Sequence, residues 1–461
     1  MVADAMDMDL ILTKGLGNAT YLVGRGREAL VVDPPRDAWR VMAAATARGW
    51  RITHVVETHV HNDYLSGALE LRSALGAEIV APARGRYAFD HRAVDDGDHV
   101  EIDGLRLTAR STPGHTPEHL AWEVDDGTGT GPGPSAIFTG GSLLVGSAGR
   151  TDLLGADATD ELTAAQFRSL RALATLPDTV AVLPTHGTGS FCSAGPAGGE
   201  RTSTMATERL TNPLLRIADE SAFRAAMLSG FTPYPSYYAE MAPINRAGPA
   251  VRGALPSVAA LDPAGFDAAI ARGAHLIDGR PREAFGAGHI QGALNIELKD
   301  TFASYIGWFV PFGAPLALVL PEPLDASLEE AATQLFRIGY ERIDGVLSGG
   351  MAAWEEAGLP AASYPVLTAT AARERARDDA IAHVLDVRDD HELRDDGMVP
   401  GAIIVPIGEL PGRLASLPAD GPFTVMCKSG ARASIAASML DAAGRDVRLI
   451  GVGGATDWLG R

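Results

Sequence analysis

The chain has 461 residues, with 39 Lys and Arg against 58 Asp and Glu and a formal charge of −19, which excludes non-specific attraction to nucleic acid or to an anionic membrane surface. At about 150 residues per domain, the length implies roughly three domains. A hydrophobic share of 46% describes a globular protein, and two cysteines, Cys192 and Cys427, are too few for a disulfide framework.

The opening residues, MVADAMDMDLILTKG, carry neither a basic start nor an apolar run, so no secretory signal is expected. Apolar stretches fall well short of the roughly 20 residues of a membrane span, and the expected compartment is the cytoplasm. Strands are then expected at ATYLVGRGREALVVDPP, ITHVVETHVHND, AEIVAP, LRLTARSTPGH and AIFTGG, with DAWRVMAAATARG a helix between them. Eight of the 12 histidines fall before residue 190. In THVHND, His59, His61 and Asp63 alternate along an extended segment and so share a face. His115 in STPGHTPEH and His186 in LPTHGTG each follow a further strand. Neutral imidazoles and a carboxylate suit a transition metal, against the plain alternative of unrelated loop histidines. Cys192, in HGTGSFC, reads equally as a small buried apolar residue or as a sulfur acceptor beside the metal loop. From Thr202 to about Ala250 the chain turns helical and then Pro-rich, with Tyr237 and Tyr238 in a cluster that reads as packing.

An internal repeat follows. LIDGRPREAFGAGHIQGALNI around Asp278 returns as VLDVRDDHELRDDGMVPGAIIVP around Asp386, and GGMAAW at Gly349 returns as GGATDW at Gly453, about 106 residues on. The expected domains are therefore 1–257, 258–361 and 362–461. Each repeat alternates β-branched runs with Ala-rich helical stretches, the pattern of a small α/β domain with a parallel sheet. In the second, the strand FTVM delivers Cys427 to a tight loop, Lys428-Ser429-Gly430-Ala431-Arg432, that opens a helix. Backbone N–H groups converging on the sulfur would lower its thiol pKa and cradle an anionic persulfide. In the first repeat Pro321 stands at the corresponding place, so that unit lacks the nucleophile.

Through THVHNDY, TPGHT, FTGGSLLVGSAGRTDL and PTHGTGS, residues 8–195 resemble the metallo-β-lactamase fold and, within it, the glyoxalase II and persulfide dioxygenase branch. The two repeats resemble rhodanese domains, and the whole resembles bacterial persulfide dioxygenase-sulfurtransferase fusions. The resemblance implies an α/β chain in which an αββα sandwich is followed by two small α/β domains with parallel sheets. Binuclear hydrolases of that family carry His where this chain has Tyr64 and a bridging Asp where it has Gly141, which disfavours a two-metal site. The resemblance implies a mononuclear Fe(II), with zinc as the alternative, held by His59 and His115, with His61 completing a three-histidine face in place of the carboxylate missing at Gly141. Asp63, Tyr64, His186 and Cys192 are then expected around the metal or against substrate. The implied function is oxidation of a small thiol persulfide to sulfite, together with transfer of sulfane sulfur from thiosulfate or a persulfide through Cys427. Lys428 and Arg432 would neutralise the anionic donor, with Ser429, Gly430 and Ala431 lining the persulfide loop. Neither nucleic acid nor membrane is an expected partner, and a homodimer is left open. Two other functions stay open: a sulfurtransferase whose first domain is a metal-deficient binding module, and a glyoxalase II-like thioester hydrolase.

Overall fold

The computed structural model describes residues 6–127, 133–195, 199–378 and 383–460. No helix among them is long and apolar enough to cross a membrane. The chain divides into two compact units, Met1–Leu255 with Phe336–Gly339, and Pro256–Leu335 with Tyr340–Arg461.

In the first unit, strands β1 (Asp7–Thr13), β2 (Asn18–Arg25), β3 (Glu28–Val32), β4 (Arg51–Val56), β5 (Glu78–Pro82) and β6 (Arg92–Val94) form one sheet in sequence order. It is antiparallel through β3 and parallel from β3 onward. Strands β7 (His99–Ile102), β8 (Leu105–Ser111), β9 (Leu120–Asp125), β10 (Ala136–Gly140), β11 (Ala181–Pro184) and β12 (Ser203–Thr204) form the second, in the order β12-β11-β10-β9-β8-β7. The period of two along each strand explains the layering. Tyr21, Val23, Leu30 and Val32 point into a core shared with Leu107, Trp122 and Phe138 of the other sheet. The residues between them, Leu22, Ala29 and Val31, instead meet Val41 and Ala45 of α1 (Trp39–Arg48) and Leu71 of α2 (Ala68–Leu75). On the outer face of the second sheet, Ile137 and Val182 meet Leu170 and Leu173 of α3 (Ala156–Leu173). The result is an αββα sandwich. A later helix, α4 (Tyr238–Ala247), belongs to the same unit.

The second unit holds two five-stranded sheets, each parallel throughout. The first comprises β13 (Ala260–Leu261), β14 (His275–Asp278), β15 (Leu294–Asn295), β16 (Leu316–Val319) and β17 (Ile343–Leu347), in the order β13-β17-β16-β14-β15. The second comprises β18 (Val366–Thr368), β19 (His383–Asp386), β20 (Ile403–Ile404), β21 (Phe423–Met426) and β22 (Val447–Val452), in the order β18-β22-β21-β19-β20. The matching strand orders are the structural form of the repeat seen in the sequence. Helices α5 (Arg282–Ala287) and α6 (Phe302–Phe309) belong to the first repeat, α7 (Asp390–Asp396) and α8 (Ala431–Ala442) to the second.

Candidate functional site

Strand direction assembles the first site. β9 is antiparallel to both β8 and β10, and β10 is parallel to β11, so β8, β10 and β11 all end at one edge. The segments after them carry His115, Gly141 and His186, and those after β4 and β3 bring His59 and Asp33. All four of these polar residues are buried.

Second-layer hydrogen bonds fix the tautomer of three imidazoles. The Thr58 hydroxyl gives its proton to Asp33 Oδ2 at 2.7 Å, so His59 Nδ1, 2.8 Å from Thr58 Oγ1, must donate to that hydroxyl. His115 Nδ1 donates to the Arg150 carbonyl at 2.8 Å. His186 Nδ1 donates to Asn18 Oδ1 at 3.0 Å, and that amide is oriented by its own donation to Asp63 Oδ2 at 2.7 Å. Each Nε2 is therefore left with a bare lone pair. The ligating atoms of His59, His115 and His186 lie within 4.8 Å of one another. The Nε2 atoms of His59 and His186 face each other at 3.3 Å, and His115 Nε2, buried, has no hydrogen-bond partner among the described residues. Burial, reinforced by neighbouring imidazoles, holds His115 and His186 down to about 3 and His59 well below its ordinary value. Three neutral, buried nitrogen donors converging on one another fit a divalent transition metal.

The His61 ring stands in a close group with Asp33 and His59, and its Nε2 faces carboxylates. Its Nε2 lies 3.0 Å from Glu57 Oε2, 3.4 Å from Asp33 Oδ1 and 3.0 Å from the Tyr64 hydroxyl. Burial opposes charge on this ring, but the two carboxylates outweigh it and raise His61 to about 10. Tyr64 donates to the Asp33 carbonyl at 3.1 Å and stacks on His61 with centroids 4.4 Å apart. The aromatic residue at the former ligand position thus packs against His61 and braces it. Among the described residues, His61 Nδ1 and Asp63 Oδ1 have no hydrogen-bond partner, and His61, Asp63 and His186 form a further close group. At Gly141 a Cβ would stand 2.2 Å from His115 Cδ2, so the imidazole fills the space a side chain there would need. The Gly141 amide donates instead to His119 Nε2 at 2.9 Å. Cys192 is fully buried, and burial pushes its thiol well up, which keeps it protonated.

Sequence reasoning singled out neither Asp33, Glu57, Asn18 nor His119. Asp33 had a signal: a strand ending in Asp before Pro34-Pro35, here with φ of 51°. Asn18 had none, because its role exists only across the fold.

In the second unit, β21 leads directly into Cys427, 1% exposed, and α8 begins at Ala431. The Gly430 N–H donates to Cys427 Sγ at 3.1 Å, and Gly430 takes a φ of +89° that favours glycine. The two cations of the loop are already paired. Arg432 spans both Glu392 oxygens at 2.6 Å and reaches Asp389 at 3.1 Å. Lys428 Nζ lies 3.1 Å from Asp396. Burial disfavours charge on Arg432, but Glu392 and the other anionic groups outweigh it and hold the guanidinium more firmly protonated than usual. Ser429 and Ala431 complete the turn. Burial also pushes the Tyr305 phenol, on α6 of the first repeat, up to about 12, with Arg432 and Cys427 among the groups acting on it.

Both halves of this geometry belong to known families. Residues 13–186 match the metallo-beta-lactamase superfamily, and residues 262–357 and 368–461 each match the rhodanese-like domain. A hydroxyacylglutathione hydrolase of Rhizobium johnstonii is 31% identical over 253 residues, covering 49% of this chain and 92% of that protein. A mitochondrial persulfide dioxygenase of Homo sapiens is 30% identical over 211 residues, 44% of this chain and 72% of that protein. A crystal structure described as a metallo-beta-lactamase from Staphylococcus aureus subsp. aureus COL superposes with a TM-score of 0.67 at 28% identity, covering 74% of this chain and 99% of that one. The chain belongs to the metallo-β-lactamase superfamily and carries two rhodanese-like domains. That combination makes it an enzyme of sulfur metabolism.

Proposed function

We propose that the chain, as domains 1–257, 258–361 and 362–461, oxidises a small thiol persulfide at a single metal ion and transfers sulfane sulfur through Cys427. One observation carries the first half: His59, His115 and His186 each give away the Nδ1 proton and turn a bare Nε2 toward the others. These three would hold the ion, with His61 bracing the cluster from the carboxylate side. Iron is favoured over zinc because the reaction consumes dioxygen. What the metal supplies when bound is Lewis acidity and, for iron, redox chemistry toward O2. The net reaction converts RSSH, O2 and water into RSH, sulfite and two protons. Tyr64 and Gly141 support one ion over the two-ion clamp of a thioester hydrolase.

At the second site the Cys427 thiolate attacks the outer sulfur of thiosulfate. A new S–S bond forms as the bond to sulfite breaks, and sulfite leaves with the electron pair. An acceptor such as cyanide then takes the outer sulfur and returns the thiolate. The Gly430 N–H on Sγ is the donor that holds negative charge there. With Arg432 and Lys428 already paired to carboxylates, the Gly430 N–H carries more of that task than side-chain cations do.

The test is oxygen uptake with a thiol persulfide after anaerobic iron loading, with metal counted per chain. Stoichiometric iron with oxygen consumption and sulfite release is expected. Negligible iron, zinc and manganese after loading would reduce the chain to a sulfurtransferase, and metal-dependent hydrolysis of S-lactoylglutathione without oxygen uptake would make it a thioesterase.

A further inference from the structure

Arg282 opens α5 in the repeat that has no nucleophile, yet its guanidinium reaches the loop of the repeat that does. It is buried, 6% exposed. Its Nη1 donates to the Ser429 carbonyl at 2.7 Å and to the Gly451 carbonyl at 3.3 Å. Glu297 holds the other side of the group, Oε1 at 3.1 Å from Nε and Oε2 at 2.5 Å from Nη2. The contact is close enough to shape the loop, since a Cβ at Gly430 would stand 1.9 Å from Arg282 Nη1.

The peptide joining Ser429 to Gly430 is the one that matters. Its carbonyl accepts from Arg282, and its N–H donates to Cys427 Sγ at 3.1 Å. A peptide group is planar and trans, so fixing the oxygen fixes the direction of the hydrogen. A cation on the carbonyl also polarises the group and strengthens the N–H as a donor. We propose that Arg282 is a positioning residue for sulfur transfer: from the nucleophile-less repeat it clamps the peptide whose N–H stabilises the Cys427 sulfur. This gives the first repeat, with Pro321 where the nucleophile would stand, a specific task in its neighbour's chemistry.

The inference rests on Cys427 as sulfur carrier, and the full chain tests the two separately. If Cys427→Ser keeps thiosulfate:cyanide activity, the reading of the site fails. With that variant inactive, Arg282→Ala decides the positioning role. Its kcat is expected to fall about ten- to a hundredfold, with the KM for thiosulfate within about twofold of the original. Added guanidinium should restore part of the rate, and Arg282→Lys should keep more activity than Arg282→Ala. An unchanged kcat, or a loss that guanidinium does not rescue, overturns the proposal. If Arg282→Ala fails to fold, Glu297→Gln replaces it. That variant frees the guanidinium from its anchor and should lower kcat without moving KM, and an unchanged kcat there overturns the proposal equally.

Discussion

A lone pair with no proton to share is expensive to bury, and the metal pocket buries three that face one another. Asn18, Thr58 and the Arg150 carbonyl create that situation by taking the Nδ1 protons. His186→Ala should therefore abolish stoichiometric metal binding, whereas His61→Ala, which removes a ring engaged by Glu57 and Asp33, should retain the ion with weaker hold. Metal content per chain measures this, and the opposite order would return His61 to the ligand set. Asn18→Ala tests the layer behind: losing an orienting partner is expected to weaken metal affinity about 10- to 100-fold, read by competition with a chelator. Gly141→Ala meets the His115 ring at 2.2 Å. Overpacking of this kind costs about 1–3 kcal/mol, so a lowered Tm with reduced metal content is expected from that single methyl group.

At the scale of elements, the histidine loop depends on a helix far along the chain. Asn245 of α4 donates to the His61 carbonyl at 2.9 Å and the Tyr64 carbonyl at 2.8 Å, and accepts from the Ser66 amide at 2.9 Å. Tyr237, just before α4, donates to the Asp63 carbonyl at 2.9 Å. The segment that read as a Pro-rich extension with packing aromatics is thus the clamp of the HxHxD loop. Asn245→Ala would take the partner from two buried carbonyls and one part-buried amide, at about 1–3 kcal/mol for each buried group left unsatisfied. Thermal unfolding should show a lower Tm, and metal should leave more readily; an unchanged Tm would mean that water replaces the amide. Such contacts explain what the sequence could and could not disclose. His59 and His61 sit two apart and Cys427 sits in a strand-loop-helix, so spacing alone announces their chemistry. Asn245 acts on a carbonyl 184 positions away and Arg282 on one 147 away, and no local pattern records either. His61 shows the same limit from the other side: its alternation with His59 was legible, but Asp33 and Glu57, which turn its Nε2 aside, enter only with the fold.

Across the whole molecule, the two proposed chemistries stand on two separately built supports. The histidine cluster draws its hydrogen-bond partners from within the first compact unit, and the Cys427 loop draws its own from the second, including Arg282 of the nucleophile-less repeat. Sites that share no hydrogen-bond network respond to substitution nearly independently. Cys427→Ser is therefore expected to abolish thiosulfate:cyanide transfer while leaving oxygen uptake with a thiol persulfide close to its original rate, and His59→Ala to do the reverse. On the proposed function, joining the sites on one chain would add a second effect, because a sulfur species released at one would be presented to the other at a raised effective concentration. With each variant present at the original chain's concentration, a mixture of the two should thus match the original in each assay with its own substrate, yet yield less of any product that needs both sites when persulfide is limiting. If either variant loses both activities, the metal pocket and the thiol loop are obligatorily coupled; if mixture and original chain give identical product ratios, joining them confers no transfer advantage.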